Sequence, residues 1–220
     1  MDSMTEIAVD GKATVVTVPD TISLLIRVNV RATEYADALH KLGTGCSDVT
    51  SVLAGCAISK APQTREYSVQ EDWDNKYDAA KRKLIGYEGV QQLVVDFPMD
   101  MQKLGKALHG LGAIDCHPSV DTYFEVADQT AMFAQARKNA LTAATATAED
   151  MAAQMGLKIV GVKSMKHNMT REGSPHSLHV GFDDNCLAHA SFVMPEIVPE
   201  EVSNTANVSV AWVAVSTYKI

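Results

Sequence analysis

Residues 128–156, DQTAMFAQARKNALTAATATAEDMAAQMG, constrain the fold of this chain more than any other segment. They read as one long alanine-rich helix set among segments dominated by strand signals. Asp128 can cap its N-terminus by accepting otherwise orphaned backbone N–H bonds, and Gly156 suits the left-handed turn that ends a helix. About 27 residues at 1.5 Å rise span roughly 40 Å, longer than the usual globular helix. One face carries Met132, Ala136, Ala140, Ala144, Ala148, Met151 and Met155 at close to the 3.6-residue period. Such small side chains let another backbone approach closely, and none of them carries chemistry. The helix therefore speaks to architecture and not to activity.

Around it the pattern is mostly of strands. Ala13–Val18 is rich in Val and Thr, and Pro19-Asp20 makes a turn. Thr21–Val30 then alternates, with Ile22, Leu24, Ile26, Val28 and Val30 on one face, as in a half-buried antiparallel strand. A helix is expected from Thr33 to about Leu53, weakened by Gly43 and Gly45. Gln63–Trp73 and Leu84–Phe97 alternate on either side of a polar tip and predict a long antiparallel ribbon, about 63–97. Asp100 caps a shorter helix with Met101, Leu104, Leu108 and Leu111 on its apolar stripe. Strands are expected at Ser119–Val126, Leu157–Lys166 and Asn207–Thr217, and residues 168–202, without sustained periodicity, are expected to form a mobile loop. Hairpin-linked strands with helices returning over one face indicate an α+β fold of antiparallel sheets packed on helices. The 220 residues suffice for a single domain, 1–220, or for two intertwined βαβ-type subdomains meeting near residue 100.

Composition excludes several function classes. The formal charge is −8 and the one basic cluster, Lys81-Arg82-Lys83, sits beside Asp72, Asp74 and Asp78, so no nucleic-acid partner is expected. No apolar run is long enough for a membrane span. The segment MDSMTEIAVDGK has no apolar core of a signal peptide, which points to a cytoplasmic protein as given; a mature or trimmed chain would instead fit the periplasm or cell envelope. Cys46, Cys56, Cys116 and Cys186 are scattered and read as reduced thiols.

Two constellations could carry chemistry. His176-x-x-His179 with Cys186-x-x-His189 offers imidazole and thiolate ligands that suit zinc or copper, with His167 as an outlying candidate. The spacing matches no zinc-finger pattern, and solvated loop histidines are the plainer reading. Asp115-Cys116-His117-Pro118 places a thiol beside an imidazole, but a nucleophile needs its base in space and not merely in sequence; a turn is the plainer reading. Cys46 falls on the apolar stripe of the first helix, where a thiol packs as a small hydrophobe. Gly43-Thr44-Gly45 is no dinucleotide fingerprint, since it lies within a helix. Tyr67, Trp73, Tyr77 and Tyr87 cluster about the ribbon as cross-strand packing or as an assembly surface. No catalytic residue and no cofactor is expected.

Ordered landmarks resemble those of SIMPL-domain proteins, the YggE-like bacterial family. They are VDGKATVVTVPDTISLLIRVNV at the start, ISKAPQTREYSV after the first helix, Gly86-Tyr87 followed by VQQLVVDF, the alanine-rich helix ending MAAQMGLKIVGV, and Val208–Val215 at the close. The resemblance implies an α+β fold, a tendency to oligomerise, frequent export to the envelope, and no established enzymatic activity. It predicts a non-enzymatic, self-assembling protein with a stress- or envelope-related role. The alternative is a metal- or small-ligand-binding protein using residues 167–189.

Overall fold

The structure, a computed structural model, describes residues 4–74, 82–172, 177–180 and 197–216, with the backbone alone at 171, 172 and 177–180. Its elements in chain order are β1 (Met4–Thr17), β2 (Thr21–Ala32), α1 (Tyr35–Gly55), β3 (Gln63–Trp73), β4 (Leu84–Pro98), α2 (Met101–Gly112), β5 (Ser119–Glu125), α3 (Gln129–Gln154), β6 (Leu157–Glu172), β7 (Ser177–Val180) and β8 (Val202–Ser216). The fold is α+β, with antiparallel pairing throughout. The chain divides into two compact units.

The first unit comprises Met1–Val18, Val126–Ser174 and Glu201–Ile220. Its three-stranded sheet has the order β1-β8-β6. Helix α3 lies on one face of it. The Asp128 carboxylate accepts from the Ala131 N–H at 2.9 Å, and Gly156 takes the left-handed φ of 65° just past the helix. Ala136, Ala140, Ala144, Ala148 and Ala152 are buried against Ile7, Val208, Val210 and Trp212. The expected face is corrected at its C-terminal end, where Met151 and Met155 are 41% and 65% exposed and Ala152 takes the contact. The helix touches the sheet along its i, i+4 ridge, which is inclined to the helix axis and crosses a twisted surface.

Strand β1 begins at Met4 rather than Ala13, since Asp10, Gly11 and Lys12 interrupt the apolar alternation without breaking the ladder. Gly11 pairs with Val208 on the helix side, and a Cβ there would stand 2.3 Å from the Ala140 carbonyl oxygen. Strand β8 also starts early, at Val202, through the buried polar residues Asn204 and Thr205. Thr205 shares a 2.7 Å hydrogen bond with Thr14, and Asn204 Nδ2 donates to Met132 Sδ at 3.7 Å.

The second unit comprises Pro19–Glu125 and Pro175–Glu200. Its five-stranded sheet has the order β3-β4-β2-β5-β7, with α1 and α2 on one face. Alternation places Ile22, Leu24, Ile26 and Val28 of the central strand under the helices, together with Leu42, Val49, Leu53, Leu104 and Leu108. Asp100 accepts from the N–H groups of Gln102 and Lys103, the expected cap of α2. The expected ribbon is present as the β3–β4 pair but does not stand alone, because β4 also pairs with β2 from Tyr87 to Pro98. Tyr87 packs edge-on to Tyr35 of α1, and Trp73 lies under the Arg82 guanidinium, so two of the clustered aromatics are engaged locally. Within 168–202, expected as a loop, β6 continues to Glu172 and β7 adds an edge strand beside β5; residues 173–176 and 181–196 lie outside the described residues.

Candidate functional site

Of the proposed metal ligands, His176, Cys186 and His189 lie outside the described residues. His179 is placed by its backbone, in β7 opposite Asp121. His167 lies on β6 opposite Val208 and is exposed. Among the described residues no group of three or more His, Cys, Asp or Glu side chains could hold a metal ion.

The described residues do assemble a cleft in the second unit. Strand β2 supplies Asn29, Val30 and Arg31, helix α1 supplies His40, Lys41, Thr44, Gly45 and Asp48, and the turn between α2 and β5 supplies Asp115 and Cys116. Its volume is 560 Å³. The helix residues recur at three- and four-residue steps, so they form one side of α1. The turn is tight, with His117 at φ 43° and its N–H donating to the Ile114 carbonyl at 3.0 Å. It fits against α1 because Gly45 has no side chain; a Cβ there would meet Cys116 Sγ at 2.9 Å and Val28 Cγ1 at 3.1 Å. Gly45 looks like a weak point when α1 is read as an isolated helix, but it is where the α2–β5 turn seats. A glycine on the buried stripe of a helix was the available signal, and its partner 71 positions away was not.

The electrostatics decide what the cleft can do. Burial, with the neighbouring Cys116 adding to it, pushes the Cys46 thiol from 9.0 up to about 11. Its Sγ donates to Gln91 Oε1 at 3.1 Å. Burial also raises the Cys116 thiol, and the carboxylates of Asp48 and Asp115 add to that rise against an opposing backbone hydrogen bond. Both thiols are therefore neutral near pH 7, whereas nucleophilic catalysis needs a thiolate. The Asp115-Cys116-His117 run thus forms a seated turn bearing a protonated thiol.

A pH effect follows from Cys46. Its preference for the neutral thiol contributes stability that is fully present below about pH 9 and is lost as pH rises through about 11. Denaturant titrations between pH 9 and 11 are expected to show a smaller decline in Cys46→Ala than in the parent chain. At pH 8 the two-unit rise implies alkylation of Cys46 about a hundredfold slower than that of an unfolded-chain thiol, by thiolate fraction alone. Mass spectrometry of timed iodoacetamide reactions reads this, and equal rates would refute it.

Among the described residues no helix is long and apolar enough to cross a membrane. No curated protein matches the sequence. The model of one family, SIMPL, described as a protein of unknown function (DUF541), matches residues 7–212. With that match spanning nearly the whole chain, and with two antiparallel sheets packed on helices as the landmarks imply, the chain belongs to the SIMPL family.

Proposed function

We propose that this is a non-enzymatic protein that self-associates, with the β6 edge of one copy pairing to the β1 edge of the next. The observation that carries the reading is the first unit's sheet, which among the described residues ends on both sides in long strands that differ in character. Long open edges are templates for further pairing. On β6, Val160, Val162 and Met165 are 55%, 61% and 58% exposed, an apolar strip beyond the cover of α3. The edges are complementary in charge: β6 carries Lys158, Lys163 and Lys166, and β1 carries Glu6 and Asp10 against Lys12. The Lys163 ammonium and the Glu6 carboxylate already pair across the sheet within one copy. Pairing unlike edges is head-to-tail, giving a ring where the rotation closes and a filament where it does not. A stress- or envelope-related role rests on the family resemblance alone and is proposed on that ground.

Light scattering tests the assembly. The parent chain is expected to be a multimer, and Lys166→Glu or Asp10→Lys alone to shift it towards monomer. Mixing the two variants should restore association, because the reversed charges then face each other. A strict monomer at high concentration, or equal association in every variant, would overturn the proposal.

A further inference from the structure

Strand β2 is central in its sheet, yet only one of its sides is fully paired. On the β4 side the ladder runs from Thr21 to Ala32. On the β5 side it runs from Thr21 to Arg27, where Ser119 is the last partner. Beyond that point Val28–Ala32 has no neighbouring strand among the described residues, because the chain before Ser119 turns away at Cys116 and His117. The direction of the backbone groups follows from two contacts. A Cβ on Gly86 would lie 2.3 Å from the Ala32 carbonyl oxygen, so that oxygen faces β4. Backbone direction alternates along a strand, so the main-chain groups of Asn29 and Arg31 face the open side. Lys41 Nζ accordingly donates to the Arg31 carbonyl at 3.4 Å.

We infer that this open lane is a docking site for an extended peptide of a partner protein, which would add to β2 as a strand in line with β5. The cleft already described occupies the lane, with α1 as its wall. Five residues of strand measure roughly 17 Å. Main-chain hydrogen bonds to Asn29 and Arg31 provide affinity in this mode, and side chains set the preference. The preference is legible in charge. At the Val28 end stand Asp48 and Asp115, neither of which forms an ion pair among the described residues. At the other end stands the Lys41 ammonium. The complementary peptide therefore carries a cation beside Asp48 and Asp115 and a carboxylate beside Lys41. Gly45 and Cys116 leave space for only small side chains towards α1.

Amide hydrogen exchange on the full chain, read by NMR with capped probe peptides, tests the proposal. Glu-Thr-Val-Thr-Lys is expected to slow exchange at the amides of Asn29 and Arg31. The same peptide N-methylated at both threonines, the residues opposite Arg31 and Asn29, should bind at least about tenfold more weakly, since it cannot complete the ladder. The peptide Glu-Thr-Val-Thr-Gln, which lacks only the cation, should bind several-fold more weakly, and this difference should vanish in the Asp48→Asn, Asp115→Asn double variant. No protection at Asn29 and Arg31 with millimolar peptide would overturn the inference, as would equal protection by the N-methylated peptide. Protection that grows with protein concentration in the absence of peptide would also overturn it, assigning the lane to a second copy. Self-association through β1 and β6 is read separately by scattering, so either proposal can fail without the other.

Discussion

Gly11→Val is expected to destabilise the chain by on the order of 3 kcal/mol, the upper end of the range for overpacking a close contact. In strand β1, Gly11 faces α3, and the position a Cβ would occupy is 2.3 Å from the Ala140 carbonyl oxygen and 2.8 Å from the Ala144 Cβ. The first of these is backbone, held by the helix's own hydrogen bonds, so it cannot swing aside as a flexible side chain would. Relief requires α3 to lift from the sheet, which opens the contacts of Ala136, Ala140, Ala144 and Ala148 together. Gly11→Ala already meets the backbone oxygen and should show most of the loss. Ala8→Val, three residues away on the exposed face of the same strand, should stay within about 0.5 kcal/mol of the parent. Denaturant unfolding of the three variants measures the contrast. Gly11→Val with the stability of Ala8→Val would show that α3 does not approach β1 this closely.

The same contact shows why parts of this fold are legible in sequence and parts are not. The alanine stripe of α3 announces a close approach, because a helix surface of small side chains has little reason to exist unless a backbone comes near. What approaches is not announced. Gly11 lies about 130 residues earlier and, read locally, it interrupts a strand. The caps at Asp100 and Asp128 were readable because their partners are two and three residues away. The start of β1 was not, because Asp10, Gly11 and Lys12 find their ladder partners only in β8. Nor was the start of β8, because Thr205 looks polar by itself and its partner Thr14 is 191 positions away. The cleft of the second unit follows the same rule. Asp115, Cys116 and His117 stood out by adjacency, but what governs Cys116 is its burial, with Asp48 adding a charge from a different element. The open side of β2 is a difference between the lengths of two ladders, and no single segment carries that information.

Leu24→Ala is expected to cost about 3 kcal/mol and Leu25→Ala under about 1.5 kcal/mol, though the two are adjacent residues of one type. Leu24 is fully buried on the helix side of β2, flanked across the ladders by Val95 and Thr122, themselves fully buried. Removing its side chain leaves a cavity that the central strand cannot collapse into, since it is held by β4 on one side and β5 on the other. Leu25 points to the opposite face, beside Val94 and Asp121, and is half-buried. Water reaches that face, so truncation there loses part of the transfer free energy and leaves no enclosed void. Ser23 shares that face and donates to Asp96 at 2.9 Å, which accounts for a polar residue at low exposure one position before Leu24. The comparison tests register directly, because a slip of one residue exchanges the two faces of a strand and would reverse the order of the two losses. Equal losses would mean that both faces of β2 are covered alike.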